Sequence, residues 1–90
     1  MSNIAFKISV WESEKGHGDR HDDYMICLSA EDALDFKNEF NAKNNLPVTP
    51  VWYMQVRGEP SEIKLSDSQF KKLNESSIPK RIWWSELKNQ

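Results

Sequence analysis

One cysteine, Cys27, is all the thiol that this 90-residue chain contains, so no internal disulfide can staple it and a reducing compartment suits it. Apolar runs are short. The longest, such as Met25 to Leu28, fall far below what a bilayer requires, and Met1 to Val10 lacks the basic and then apolar segments of a secretory leader. A cytoplasmic location without membrane attachment is the resulting expectation. Glycine is scarce and in no phosphate-cradling pattern, and neither a nucleophile elbow nor a paired metal motif occurs. Catalysis and a bound cofactor are therefore not expected. Charge of one sign is lacking too. A net charge of -2 excludes a strongly basic nucleic-acid binder and an extreme acidic mimic alike.

What is present belongs to a folded domain. Hydrophobic residues at 38% and charged residues at 29% match globular chains, and this length supplies one core and one domain spanning 1–90. From Ile4 to Val10 apolar side chains alternate with Ala5, Lys7 and Ser9, the period of a strand with one buried face. Tyr24 to Leu28 is a second β-favouring run. The polar stretch Glu14 to Asp23, with Gly16 and Gly18, predicts a long mobile loop joining the two in a hairpin.

Ser29, with Asp32 three residues on, marks a helix start. Ala33, Phe36 and Phe40, with Leu34 beside them, give a helix over Ala30 to Lys43 one packing face. Asn44, Asn45 and Pro47 end it. Val51 to Arg57 predicts a third strand, Gly58 to Ser61 a turn, and Glu62 to Leu65 an extension of the sheet. Ser66 and Gln69 repeat the capping-box spacing ahead of Phe70 and Leu73, and Pro79 opens a third helical segment with Trp83 and Leu87 four apart. The expected fold is α+β in the order ββαβαα: an antiparallel sheet of three or four strands, one main helix on a face, short C-terminal helices beside it.

Three groups of residues are candidates for function. Glu31, Asp35 and Glu39 recur every four residues and form an acidic stripe opposite the aromatic face of the long helix, suited to a basic groove on a partner. Trp11, Trp52, Trp83 and Trp84 are too many for so small a core to bury fully. Helical geometry would point Trp83 and Trp84 about 100 degrees apart, leaving Trp84 outward beside Lys80 and Arg81 as an interface anchor. The hairpin face around Trp11 and Tyr53 is the secondary surface. His17, Asp19, His21, Asp22 and Asp23 carry metal-ligating groups, but a glycine-flanked loop holds no ligands in place, so His17, Asp19 and His21 are weak candidates and no metal is expected.

Trp11-Glu12-Ser13-Glu14 followed by Gly16 and Gly18, then Phe40-Asn41-Ala42-Lys43-Asn44, then Pro50-Val51-Trp52-Tyr53-Met54, resembles small uncharacterised proteins of tailed bacteriophages and their hosts. The resemblance covers roughly residues 4 to 56. In those proteins the second motif usually reads Gly-Trp-Gly, whereas His17 stands in the middle here, and the C-terminal third has no counterpart. No activity comes with the resemblance. It implies an accessory protein, working in the host cytoplasm, that binds and modulates or inhibits a host protein such as a polymerase or defence complex. A small nucleic-acid-associated protein using Lys80, Arg81 and Trp84 is the alternative, and a metal-dependent enzyme at His17 and His21 the third. The acidic N-terminal half and basic C-terminal half also allow head-to-tail homo-oligomers.

Overall fold

The computed structural model describes residues 3–14, 16, 18–43, 52–76 and 80–89, with the side chains of Trp52 and Tyr53 outside that set. The elements follow as β1 (Ile4–Glu14), β2 (Gly18–Cys27), α1 (Ala30–Lys43), β3 (Trp52–Lys64), α2 (Asp67–Glu75), β4 (Arg81–Trp83) and α3 (Trp84–Leu87). The fold is α+β, as expected. Its four strands form one antiparallel sheet in the order β3-β1-β2-β4. No helix among the described residues is long and apolar enough to cross a membrane.

The helices fill both faces of the sheet. Ile8, Val10, Met25, Cys27 and Val56 form one cluster with Ala33 and Phe36 of α1. Ala5, Ile26 and Ile82 point the other way and pack with Leu65, Leu73 of α2 and Leu87 of α3. The short C-terminal helices thus lie across the sheet from α1. The sequence sign of this is Met25-Ile26-Cys27, three successive apolar residues in a strand where side chains alternate, all buried.

α1 has the bounds that its periodicity predicts, and Ser29 Oγ accepts from the Asp32 N–H at 3.1 Å to start it. α2 begins with the full Ser66 and Gln69 capping box. α3 has no capping side chain of its own at Trp83. Asp23 of β2 supplies one across the sheet: its carboxylate accepts from the Ser85 N–H at 3.2 Å and from the Ser85 hydroxyl at 2.7 Å.

Three local expectations are corrected. Glu14 to Asp23 is not a long mobile loop, because β1 and β2 continue pairing to Glu14 opposite Gly18, and Gly16 and Gly18 turn the chain at φ 88° and 80°. The pairing is polar: Glu12 faces Arg20 with a 2.9 Å ion pair. Gly58 to Ser61 is not a turn between strands but part of β3, where Gly58, Glu59 and Pro60 bulge opposite Ile8, with Gly58 at φ 84°. Arg81 to Trp83 is a strand, because Met25 to Cys27 offers it a partner. The end of the long helix at Asn44, Asn45 and Pro47 lies outside the described residues, as do Val51 and Pro79.

β3 is an edge strand, and α1 seals it. The Asn41 amide donates to the Val56 carbonyl at 3.0 Å and accepts from the Val56 N–H at 2.8 Å, as a neighbouring strand would. One turn earlier, Lys37 Nζ donates to the Gly58 carbonyl at 2.9 Å. Asn41→Ala should lower unfolding stability by about 2 kcal/mol, since it leaves two part-buried backbone groups unpaired. Asn38→Ala on the exposed side of the same helix should cost less than about 0.5 kcal/mol in the same urea titration.

Candidate functional site

Lys7, Ser9, Trp11 and Ser13 continue the Ala5 face of β1 toward the hairpin tip, beyond the cluster under α2 and α3. Register sets Trp11 opposite His21 and Ser13 opposite Asp19, with Asp22 as the extra residue of a bulge between them and the Val10 to Asp23 pair. The bulge keeps His21 on the same side as Tyr24. Three rings therefore stand in a row: Trp11 to His21 edge-on at 5.6 Å between centroids, His21 to Tyr24 tilted at 4.4 Å.

A cation stands over the ring at each end of this row. The Arg57 guanidinium lies 5.6 Å from the Trp11 ring centre, and Lys7 Nζ lies 4.8 Å from that of Tyr24. Arg57 is held from several sides. It forms a 2.8 Å ion pair with Asp19, donates to Ser13 Oγ at 3.4 Å and, with the Gln55 amide oxygen turned toward it, donates there at 3.1 Å. Ser13 is buried, and its hydroxyl donates to Asp19 Oδ1.

That network fixes the chemistry. The Ser13 hydroxyl and then the Arg57 guanidinium hold the Asp19 carboxyl below its ordinary range, so it stays charged and is a poor proton acceptor. Asp19, the carboxylate that Ser13 donates to, is thus a weakened base for it. Cys27 is fully buried in the α1 cluster, and burial pushes its thiol up to about 11, away from thiolate reactivity. What the face offers is a rigid, half-exposed aromatic surface with cations and hydrogen-bonding groups.

The sequence-selected residues fare differently. Trp11 stands at one end of the ring row on this face, and Tyr53 pairs with Ser13 in the backbone register while its side chain lies outside the described residues. Asp19 and His21 are on it as well, engaged by Arg57 and by the flanking rings; His17 lies outside the described residues. Among those described, no three His, Cys, Asp or Glu side chains gather as a metal site.

Arg81 is not placed outward as expected, and Trp84 is half-buried. Arg81 forms a 2.8 Å ion pair with Glu39, lies 5.5 Å from the Phe36 ring centre and has only 14% of its side chain exposed. It seals the seam between β4 and α1. Because Trp83 ends β4 and Trp84 begins α3, the pair divides between the sheet faces: Trp83 meets Phe36 edge-on at 6.0 Å, and Trp84 packs half-buried on the α2 and α3 cluster. Of the acidic stripe, Glu31 and Asp35 are exposed, while Glu39 is committed to Arg81, whose hydrogen bond lowers its pKa. Lys7, Tyr24 and Arg57 were missed by sequence reasoning. Their one signal is even spacing from Trp11 along β1 and across register, which becomes visible only when β1 and β2 are extended to their full length.

Comparison with protein-family models, with curated proteins and with solved structures gave no match.

Asp19, with its folded pKa depressed, contributes stability that is present above the ordinary value of 3.8 and lost as pH falls through the lower folded value. Asp19→Asn should therefore lower stability at neutral pH and weaken the fall of stability below about pH 4, measured by urea titration across pH. The Cys27 thiol should resist a disulfide exchange reagent in the native protein at about pH 8 and react within the dead time in denaturant.

Proposed function

We propose that this chain is a non-enzymatic binding protein, a phage-type accessory that engages and modulates a host protein in the cytoplasm, and that the Trp11 face is its contact surface. The phage and host parts rest on the motif resemblance alone. The surface rests on one observation: Trp11 is held between Arg57 and His21 on a half-exposed sheet face by contacts that already exist in the free chain.

Trp and Arg are the side chains that dominate interface energies, and both lose rotamer freedom on binding unless they are fixed beforehand. Here Asp19, Ser13 and Gln55 hold the guanidinium, and the guanidinium holds the ring. A protein partner fits better than nucleic acid. Among the described residues the face carries Lys7 and Arg57 as cations, Asp19 neutralises one of them, and the chain as a whole is net acidic.

Affinity capture from nuclease-treated host lysate tests this. The wild-type chain should retain a specific protein, and Trp11→Ser, with an unchanged circular dichroism spectrum, should bind it about 30-fold more weakly or worse, the loss typical of a hot spot. Equal capture by the two would move the contact off this face, and capture that disappears with nuclease would favour the nucleic-acid reading.

A further inference from the structure

We infer that the chain also binds a second copy of itself head to tail, the Trp11 face of one copy seating the outer face of α1 from the next. This rests on the Trp11 face being a docking surface, as proposed above, and assigns it an occupant that lies within the chain.

The two surfaces are complementary. Leu34 is 38% exposed, the one large apolar side chain in solvent among the described residues. It lies on the side of α1 turned away from Phe36, with exposed Glu31 and Asn38 as neighbours one turn away, exposed Asp35 next in sequence, and Lys37 tied back to the Gly58 carbonyl. The Trp11 face presents the reverse: aromatic rings of Trp11 and Tyr24, with Lys7 and Arg57 at the two ends. An apolar side chain beside Glu31 and Asp35 thus meets rings flanked by Lys7, whose charge no carboxylate on the face is shown to pair, and by Arg57, which Asp19 already pairs.

One molecule cannot make this contact with itself. α1 packs on the Ile8 and Val10 face of β1, and Trp11 projects from the opposite face, so the sheet separates the two. The contact is therefore between copies and heterologous, with different surfaces on each side. A single helix face on half a sheet face is at the small end of specific interfaces, so the association is weak, and its charged rim makes it salt-sensitive.

Sedimentation velocity of the full chain decides it. At about 20 mM salt, the weight-average sedimentation coefficient should rise between about 10 and 500 µM protein, and at about 0.5 M salt it should return toward the monomer value. Trp11→Ser and Leu34→Lys should each abolish the rise while keeping the native circular dichroism spectrum. Mixed in equal amounts, they should form a 1:1 dimer and nothing larger, because the first keeps its α1 face and the second keeps its Trp11 face. A monomer at every concentration overturns the inference. So does a rise that either variant retains, as Leu34→Lys would in a symmetric sheet-to-sheet dimer, or a loss that mixing does not restore. Neither result touches binding of a host protein, which the capture experiment reads separately.

Discussion

β1 is paired on both edges almost throughout, with β2 on one side and β3 on the other, and the pleat of this one strand assigns every other element its place. Ile8 and Val10 point to one face, and a helix with Ala33 and Phe36 must cover them. Ala5 points to the other, where its small side chain leaves room for Leu65, Leu73 and Leu87 to close over the sheet. Beyond Val10 the same alternation continues without helices in the clusters. Trp11 and Ser13 go to one side and Glu12 and Glu14 to the other. The core half and the candidate surface are thus two lengths of one strand.

The polar half of the hairpin is held by paired side chains where apolar burial is absent. Glu12 with Arg20, and Ser13 with Asp19 and Arg57, satisfy in register the groups that would otherwise favour solvent. Exposed pairs of this kind contribute little each to stability. Their effect is positional: they prevent the distal strands from separating and fix Arg57 over Trp11. Stability resides mainly in the two apolar clusters, and pre-organisation of the aromatic face in the polar network.

Edges and ends are managed by reuse of side chains from elsewhere. Asn41 and Lys37 give the outer edge of β3 the partners that another strand would supply, and Pro60 in that strand has no N–H to leave unpaired. Asp23 caps α3 from the far side of the pairing with β4. Arg81 closes the seam at the opposite edge by reaching Glu39. These contacts draw on polar candidates of the chain, and Arg81 and Glu39 are paired with each other in the folded protein.

Local signals decided much of this protein in advance. The alternation from Ile4 to Val10, the stripe of Ala33, Phe36 and Phe40, and the Ser66 and Gln69 box each reflect forces acting within a few residues, so the α+β class, α1 and α2 are legible in the sequence. The rest depends on pairing between distant segments. Charged strands such as Gly18 to Asp22 have no apolar period to betray them, and Arg81 to Trp83 is a strand only because Met25 to Cys27 lies alongside. The site follows the same division. Trp11 was legible as one of four tryptophans too many to bury and as part of a secondary surface, but Lys7, Tyr24 and Arg57 joined it on one face through register and a one-residue bulge, and Trp84 came to pack half-buried when α3 folded across the sheet from α1. Side-chain chemistry is written residue by residue. Which side chains share a face is settled by hydrogen bonds between strands up to 60 residues apart, as in the pairing of Ile4 with Lys64, and only the folded chain contains those.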